Sequence, residues 1–230
     1  MLVAQDPRTP VPWRPSDAAR AIGLVFGGFF VVLLLVGSAT SAESGERSSV
    51  TPWLVGLADG LMLLAIWLFG IRKYRVSWET VGLRRPLVRN RVGLPAAALV
   101  GSLAFGAVYA ATVSALGLDT LLPEPLPADL LGQGSTRALN AVVILFWGPF
   151  TEELFFRGFV FAALIARFGA LRAAVISSAV FALAHVSVAT MAPIFVMGML
   201  MSWLYLRGRS VWLPISAHVA QNMIALSLFV

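Results

Sequence analysis

The feature that most constrains this chain is a series of apolar runs, each near the length of a bilayer crossing. They are Ala21–Ala39, Pro52–Ile71, Gly93–Leu118, Leu171–Val188, Met191–Leu206 and Val211–Val230. A helix of about 20 residues, rising 1.5 Å per residue, crosses a hydrocarbon core of about 30 Å. Among lipid tails only helices and closed barrels satisfy their own backbone polar groups. Runs of this length and continuity predict an all-α fold, a polytopic transmembrane helix bundle. Composition agrees, with 59% hydrophobic and 12% charged residues, where a soluble domain has about 25% charged.

One more region, Ala138–Phe168, is helical in pattern but too long for a straight crossing, at about 46 Å. It is expected to tilt, or to break near Pro149 or Gly158. Residues 1–20 read as a polar, Pro-rich cytoplasmic tail with Arg8, Arg14 and Arg20. Residues 21–137 read as N-terminal transmembrane helices and loops. The first run is long for a signal peptide, although Thr40-Ser41-Ala42 after it resembles a cleavage site. A polar link follows with Glu43 and Glu46, and a Pro-rich acidic loop carries Asp119, Glu124 and Asp129.

The net charge of +6 suggests nucleic acid only if its placement is ignored. Arg72–Arg91 holds most of the basic excess, with Glu79 its lone acid. Alternating sides along the chain puts that segment together with the N-terminal arginines, Arg167, Arg172, Arg207 and Arg209, and leaves Arg47 and Arg137 opposite. Lys and Arg concentrate on the cytoplasmic side of membrane proteins. The asymmetry predicts about seven spans with a cytoplasmic N-terminus, a multi-pass protein of the cell membrane. No nucleic-acid partner is expected; the bilayer is the partner, with anionic-lipid contact secondary. There is no Cys, so thiolate catalysis, disulfides and Cys-ligated zinc are excluded.

Against this background five ionisable groups stand out in the last four spans: Glu152, Glu153, Arg157, His185 and His218. A charge at bilayer depth costs about 2.5–3.5 kcal/mol on insertion scales, so such groups mark function by default. The two histidines are the only ones in the chain. Asn222 lies four residues after His218, on the same helix face. Helix rise places Glu152 about 24 Å, His185 about 20 Å, Asn222 about 16 Å and His218 about 10 Å from the cytoplasmic helix ends, so all four are able to face one interior cavity. Adjacent Glu152 and Glu153 point about 100° apart, so one face cannot hold both. Glu153 and Arg157 have the favourable i,i+4 order for an ion pair, which leaves Glu152 free. Asp59, in the second run, fits no pattern and is unassigned.

In order, Glu152-Glu153-x-x-x-Arg157, Phe181-x-x-x-His185, Phe195-x-x-Gly198 and His218-x-x-x-Asn222 resemble the motif set of the CPBP intramembrane endopeptidases. That family includes the CAAX prenyl proteases and bacterial relatives linked to bacteriocin self-immunity. The likeness covers 138–230, the expected catalytic core. It implies a peptide or protein substrate, in some branches membrane-associated and prenylated.

Peptide hydrolysis needs an activated water, a proton for the leaving amine and donors for the oxyanion. Glu152 suits the general base and His185 the group that shares and orients the water. His218 with Asn222 suits the oxyanion site, and the resemblance implies the same allocation. Glu153 and Arg157 read as a supporting buried pair, Arg157 doubling as an anchor for a substrate carboxylate. Phe181, Phe195 and Gly198 read as packing. No cofactor is expected on this reading. The alternative is a zinc protease with Glu152, His185 and His218 as ligands, although His-Glu-x-x-His is absent and Asn ligates zinc poorly. A proton-coupled transporter lacks its matched pair of broken spans. A non-catalytic immunity or assembly factor is the reading from another class.

Overall fold

The computed structural model describes residues 10–39, 56–123, 131 and 135–229. Arg8, Thr40-Ser41-Ala42, Glu43, Glu46, Arg47, Pro52, Glu124 and Asp129 lie outside the described residues. Those described form helices joined by turns, with no strand among them. The expected all-α fold is the fold observed. In chain order the helices are α1 (Pro15–Ala39), α2 (56–74), α3 (Gly93–Ala115), α4 (135–168), α5 (170–184), α6 (Val188–Gly208) and α7 (Trp212–Phe229). Gly93–Ala115, Arg137–Ala184 and Val188–Gly208 are long and apolar enough to cross a membrane.

The expected break near Pro149 or Gly158 does not occur. α4 stays helical through both, but twice widens into π-helix, at Val143–Trp147 and Leu154–Phe161. The chain breaks instead at Gly169, where φ 75 and ψ 167 are open to glycine alone at little steric cost. α5 then folds back along α4. Ser177 donates to the Phe156 carbonyl at 2.9 Å; a straight helix would hold residues this far apart in sequence about 30 Å apart.

Gly158 has a different task from the one its residue type suggests. A Cβ there would sit 2.2 Å from the Val81 carbonyl oxygen. The missing side chain lets the short helix Trp78–Val81 press its buried end against the middle of α4. The same segment is tied to the α6–α7 turn: Val211 N–H donates to Gly82 O at 3.0 Å, and Leu87 N–H donates to Gly208 O at 2.9 Å. The basic segment is therefore an anchored strap.

The core follows from these contacts. Every residue of Leu154–Phe161 is buried. Phe155 and Phe156 meet edge-on at 5.1 Å, and Phe156 meets Phe181 of α5 at 5.0 Å. Gly198 of α6 lets Ser178 approach so closely that an added Cβ would lie 2.9 Å from its Oγ, the small-residue contact expected between membrane helices. α3 is the opposite case. Its Val100 and Val108 are both 65% exposed, an apolar surface that suits lipid contact.

At one end of the bundle α1 and α2 are clamped by polar groups. Asp17 accepts from Lys73 Nζ at 2.5 Å, from Tyr74 Oη at 2.6 Å and from the Arg14 amide at 3.0 Å. Burial pushes the Asp17 carboxyl up, but these hydrogen bonds outweigh it and hold the carboxyl below its ordinary range. Asp17 in turn pushes the Lys73 ammonium up, and burial followed by the bond to Asp17 pushes the Tyr74 phenol up.

Candidate active site

The two π stretches of α4 flank the short segment Gly148–Glu153 that carries both glutamates. A π turn bonds five residues back rather than four and is often found at functional sites. Gly148 N–H reaches Val143 O in this register. The next donor would be residue 149, a proline without an N–H. The Ile144 carbonyl it leaves accepts instead from Asn222 Nδ2 at 3.0 Å. Phe156 O likewise accepts from Ser177, and Phe159 O from Trp13 Nε1 at 3.0 Å. Side chains from α5, α7 and the N-terminal segment thus tie down the backbone of α4 around the two acids.

The two acids have different surroundings, as their angular separation predicts. Glu153 is fully buried. Its Oε1 accepts from Arg157 Nη1 at 3.0 Å and from His218 Nδ1 at 2.9 Å. Arg157, 1% exposed, also donates to Gly198 O at 3.4 Å and lies over the Phe181 ring at 4.3 Å. The pair is sealed, and Arg157 does not line the cavity where an anchor for a substrate carboxylate is expected. Glu152 keeps 23% of its side chain exposed, with Oε2 at 3.8 Å from His218 Nε2. That is beyond direct hydrogen-bond range, though catalytic bonds are often long before substrate binds.

Glu152 and His185 line one cavity of about 200 Å³, together with Asp59 of α2 and apolar groups of α1, α2 and α4. His185 is not inside a span as its apolar run suggests. α5 ends at Ala184, and His185 caps it in a turn whose next residue, Val186, has φ 51. A β-branched residue in that region is strained, and strain of this kind gathers at functional sites; Val186 also lines the cavity. The His185 ring is fixed by donation from Nδ1 to Phe181 O at 2.9 Å, which leaves Nε2 as the free nitrogen. His218 is fixed the same way, its Nδ1 held by Glu153, so its Nε2 faces Glu152. Phe181 stands between the rings, edge-on to His185 at 4.8 Å and to His218 at 6.1 Å.

The structure therefore brings Glu152, Glu153, Arg157, His185 and His218 to one place. Asn222 reaches α4 one turn from His218, where its described bond is to the backbone. Among the described residues no three His, Asp or Glu side chains gather as a metal-binding set. Asp59 is what sequence reasoning left out. The only signal for it was an acid within an apolar run, without a motif to say what it meets. It is 2% exposed, and Thr151 Oγ1 lies 2.7 Å from its Oδ1.

Comparison with known proteins bears on the same part of the chain. Residues 134–224 match the family model of the Rce1-like type II CAAX prenyl endopeptidases. The protein named "Putative membrane peptidase YdiL" of Bacillus subtilis (strain 168) is 33% identical over 84 residues. That match takes in 36% of this chain and 34% of the relative, so it spans about a third of each. No solved structure gives a significant match. The resemblance to CPBP-family membrane peptidases holds for residues 134–224, the stretch that contains Glu152, Glu153, Arg157, His185, His218 and Asn222.

Proposed function

We propose that this chain is a multi-pass intramembrane endopeptidase of the cell membrane that cleaves a peptide or protein substrate with a water activated by Glu152. The observation that carries the reading is the different fate of two neighbouring acids. Glu153 is buried and paired through Oε1 with Arg157 and His218, while Glu152 opens on a cavity it shares with a histidine.

In the first step the Glu152 carboxylate takes a proton from water held between it and His185 Nε2. The water oxygen bonds the scissile carbonyl carbon, whose oxygen becomes an oxyanion. His218, when protonated, offers Nε2–H to that oxyanion. Asn222 Nδ2 has a second hydrogen beyond the one it gives Ile144 and serves beside it. Glu152 then returns its proton to the amide nitrogen, the C–N bond breaks, and amine and carboxylate leave. Glu153 does not touch the reacting atoms; it fixes the His218 ring, and Arg157 balances its charge. General acid–base catalysis of this sort contributes roughly 10²–10⁴-fold.

The test compares N-terminal peptides in cells making wild type and Glu152→Gln at equal protein level. Junctions present with wild type and absent with the variant support the reading. A phenotype and peptide set that survive the substitution point instead to a binding role without catalysis.

A further inference from the structure

Peptide hydrolysis as proposed leaves one buried acid of the cavity without a task. Asp59 enters from α2, outside the 134–224 stretch that matches the peptidase family. Its described partner is the neutral hydroxyl of Thr151, close to its Oδ1. Its other oxygen, Oδ2, is buried and meets no hydrogen-bond donor among the described residues. A buried acceptor without a partner is destabilising by about 1–3 kcal/mol, and more when charged. Glu153 has Arg157 and His218, and Glu152 has His218 nearby. No described cation is paired with Asp59.

The rest of the wall that α1 and α2 supply is apolar: Val25, Phe26, Phe29, Ala58 and Met62. A volume of about 200 Å³ corresponds to roughly six waters at about 30 Å³ each, room enough for one side chain. An apolar pocket with one buried acid, opening beside a nucleophilic water, is the arrangement by which a protease selects the residue next to its cut.

We propose that Asp59 is a specificity-determining residue, which accepts a hydrogen bond from a donor-bearing side chain of the substrate beside the scissile bond. The inference rests on the proposed peptidase activity and names the substrate class it takes. The donor is an ammonium, amide or hydroxyl group carried on an aliphatic stem that the pocket wall covers. Sites built to bond a substrate donor reject the analogue that lacks it far more strongly than apolar pockets reject a lost methylene.

The probe is the junction peptide recovered from cells making the wild-type protein and missing from cells without it. Each donor-bearing side chain flanking the cut is replaced in turn by an apolar isostere, Lys by norleucine, Thr by Val and Asn by Leu. Purified full-length protein in lipid vesicles is expected to lose at least ten-fold in kcat/KM at one position. In Asp59→Asn, which keeps an oxygen for Thr151 but offers an amide where the substrate donor would bind, that ratio falls below three-fold. The loss appears in KM more than in kcat, a split that a purely structural role does not produce. If wild type shows no ten-fold preference at any flanking position, or Asp59→Asn keeps it, the inference is overturned. A wild-type scan without that preference overturns the inference even if Asp59→Asn fails to fold. Glu152→Gln in the same assay separates the two readings. No donor preference in wild type, or one that Asp59→Asn keeps, with Glu152 still essential ends only the role of Asp59. Cleavage independent of Glu152, with donor preference intact, ends only the role of Glu152 as base.

Discussion

Two clusters among the described residues join a carboxylate to a cation, and they differ in almost everything else. Asp17 with Lys73 and Tyr74 ties α1 to α2 at the bundle's edge, where the Lys73 side chain is 43% exposed. Glu153 with Arg157 and His218 sits inside, with side-chain exposures of 0%, 1% and 5%. Solvent reaches the Lys73 ammonium, 43% exposed, and not the inner cation Arg157, 1% exposed. Broken at Lys73, the first cluster returns its cation to solvent and leaves Asp17 its Tyr74 and Arg14 donors; broken at Arg157, the second strands a charge. The inner cluster is therefore expected to dominate stability per contact, even though the edge cluster has the shorter bonds.

The largest expected effect follows directly. Arg157→Leu leaves Glu153 buried without its cation and should destabilise by about 3–5 kcal/mol. The double variant Arg157→Leu with Glu153→Leu removes both charges and should recover much of that loss. Thermal unfolding in detergent reads both; equal losses in single and double variants would break the comparison. Gly158→Ala comes next, at about 1–3 kcal/mol, the range for forcing an atom into a packed interior. Its Cβ would collide with Val81 backbone, and the strap from Trp78 onward has to shift. Unchanged melting would mean the strap is not seated against α4.

Asn222→Ala should cost about 1–2 kcal/mol, because the Ile144 carbonyl loses its donor. The sharper form adds Pro149→Ala, which restores a backbone N–H at the position the π register needs. In that background Asn222→Ala should cost measurably less. Additive losses would show that Asn222 does not stand in for the missing proline donor.

The edge cluster gives the smallest effect, and its pH dependence carries a definite sign. The Asp17 carboxyl is held below its ordinary value. Its contribution is thus complete above about pH 4, near the unperturbed carboxyl value, and fades as pH falls further. Lys73 and Tyr74 are raised. Their contribution is complete below about pH 10 and fades as pH climbs beyond it. Asp17→Asn should remove the acid-side loss and lower stability at neutral pH by about 1 kcal/mol or less. A melting temperature that rises on acidification would contradict the sign.

The Glu153–Arg157 pair was legible in the sequence because membrane burial makes every ionisable group conspicuous, whereas the bond from His218 Nδ1 to Glu153 was not. The i,i+4 spacing of Glu153 and Arg157, and the angle separating Glu152, came from helix geometry alone. Three further features were not legible. Gly169, Pro149 and Gly158 look alike as helix breakers, and only tertiary contact decides that the first turns the chain while the others do not. The π register of α4 moves hydrogen bonds by one residue without a compositional mark, so the bond from Asn222 to Ile144 had no signal. Asp59 showed as an acid in an apolar run, yet its meeting with Thr151 depends on how α2 packs on α4, a pairing of residues far apart in the chain.

The account turns on a division of labour between two adjacent acids, and one paired measurement tests it most directly. Cleavage rate and melting temperature are recorded together for Glu152→Gln and Glu153→Gln. The account predicts that Glu152→Gln loses at least about 100-fold in rate and melts like wild type, while Glu153→Gln melts clearly lower. Cleavage that survives Glu152→Gln in a normally folded protein would contradict it.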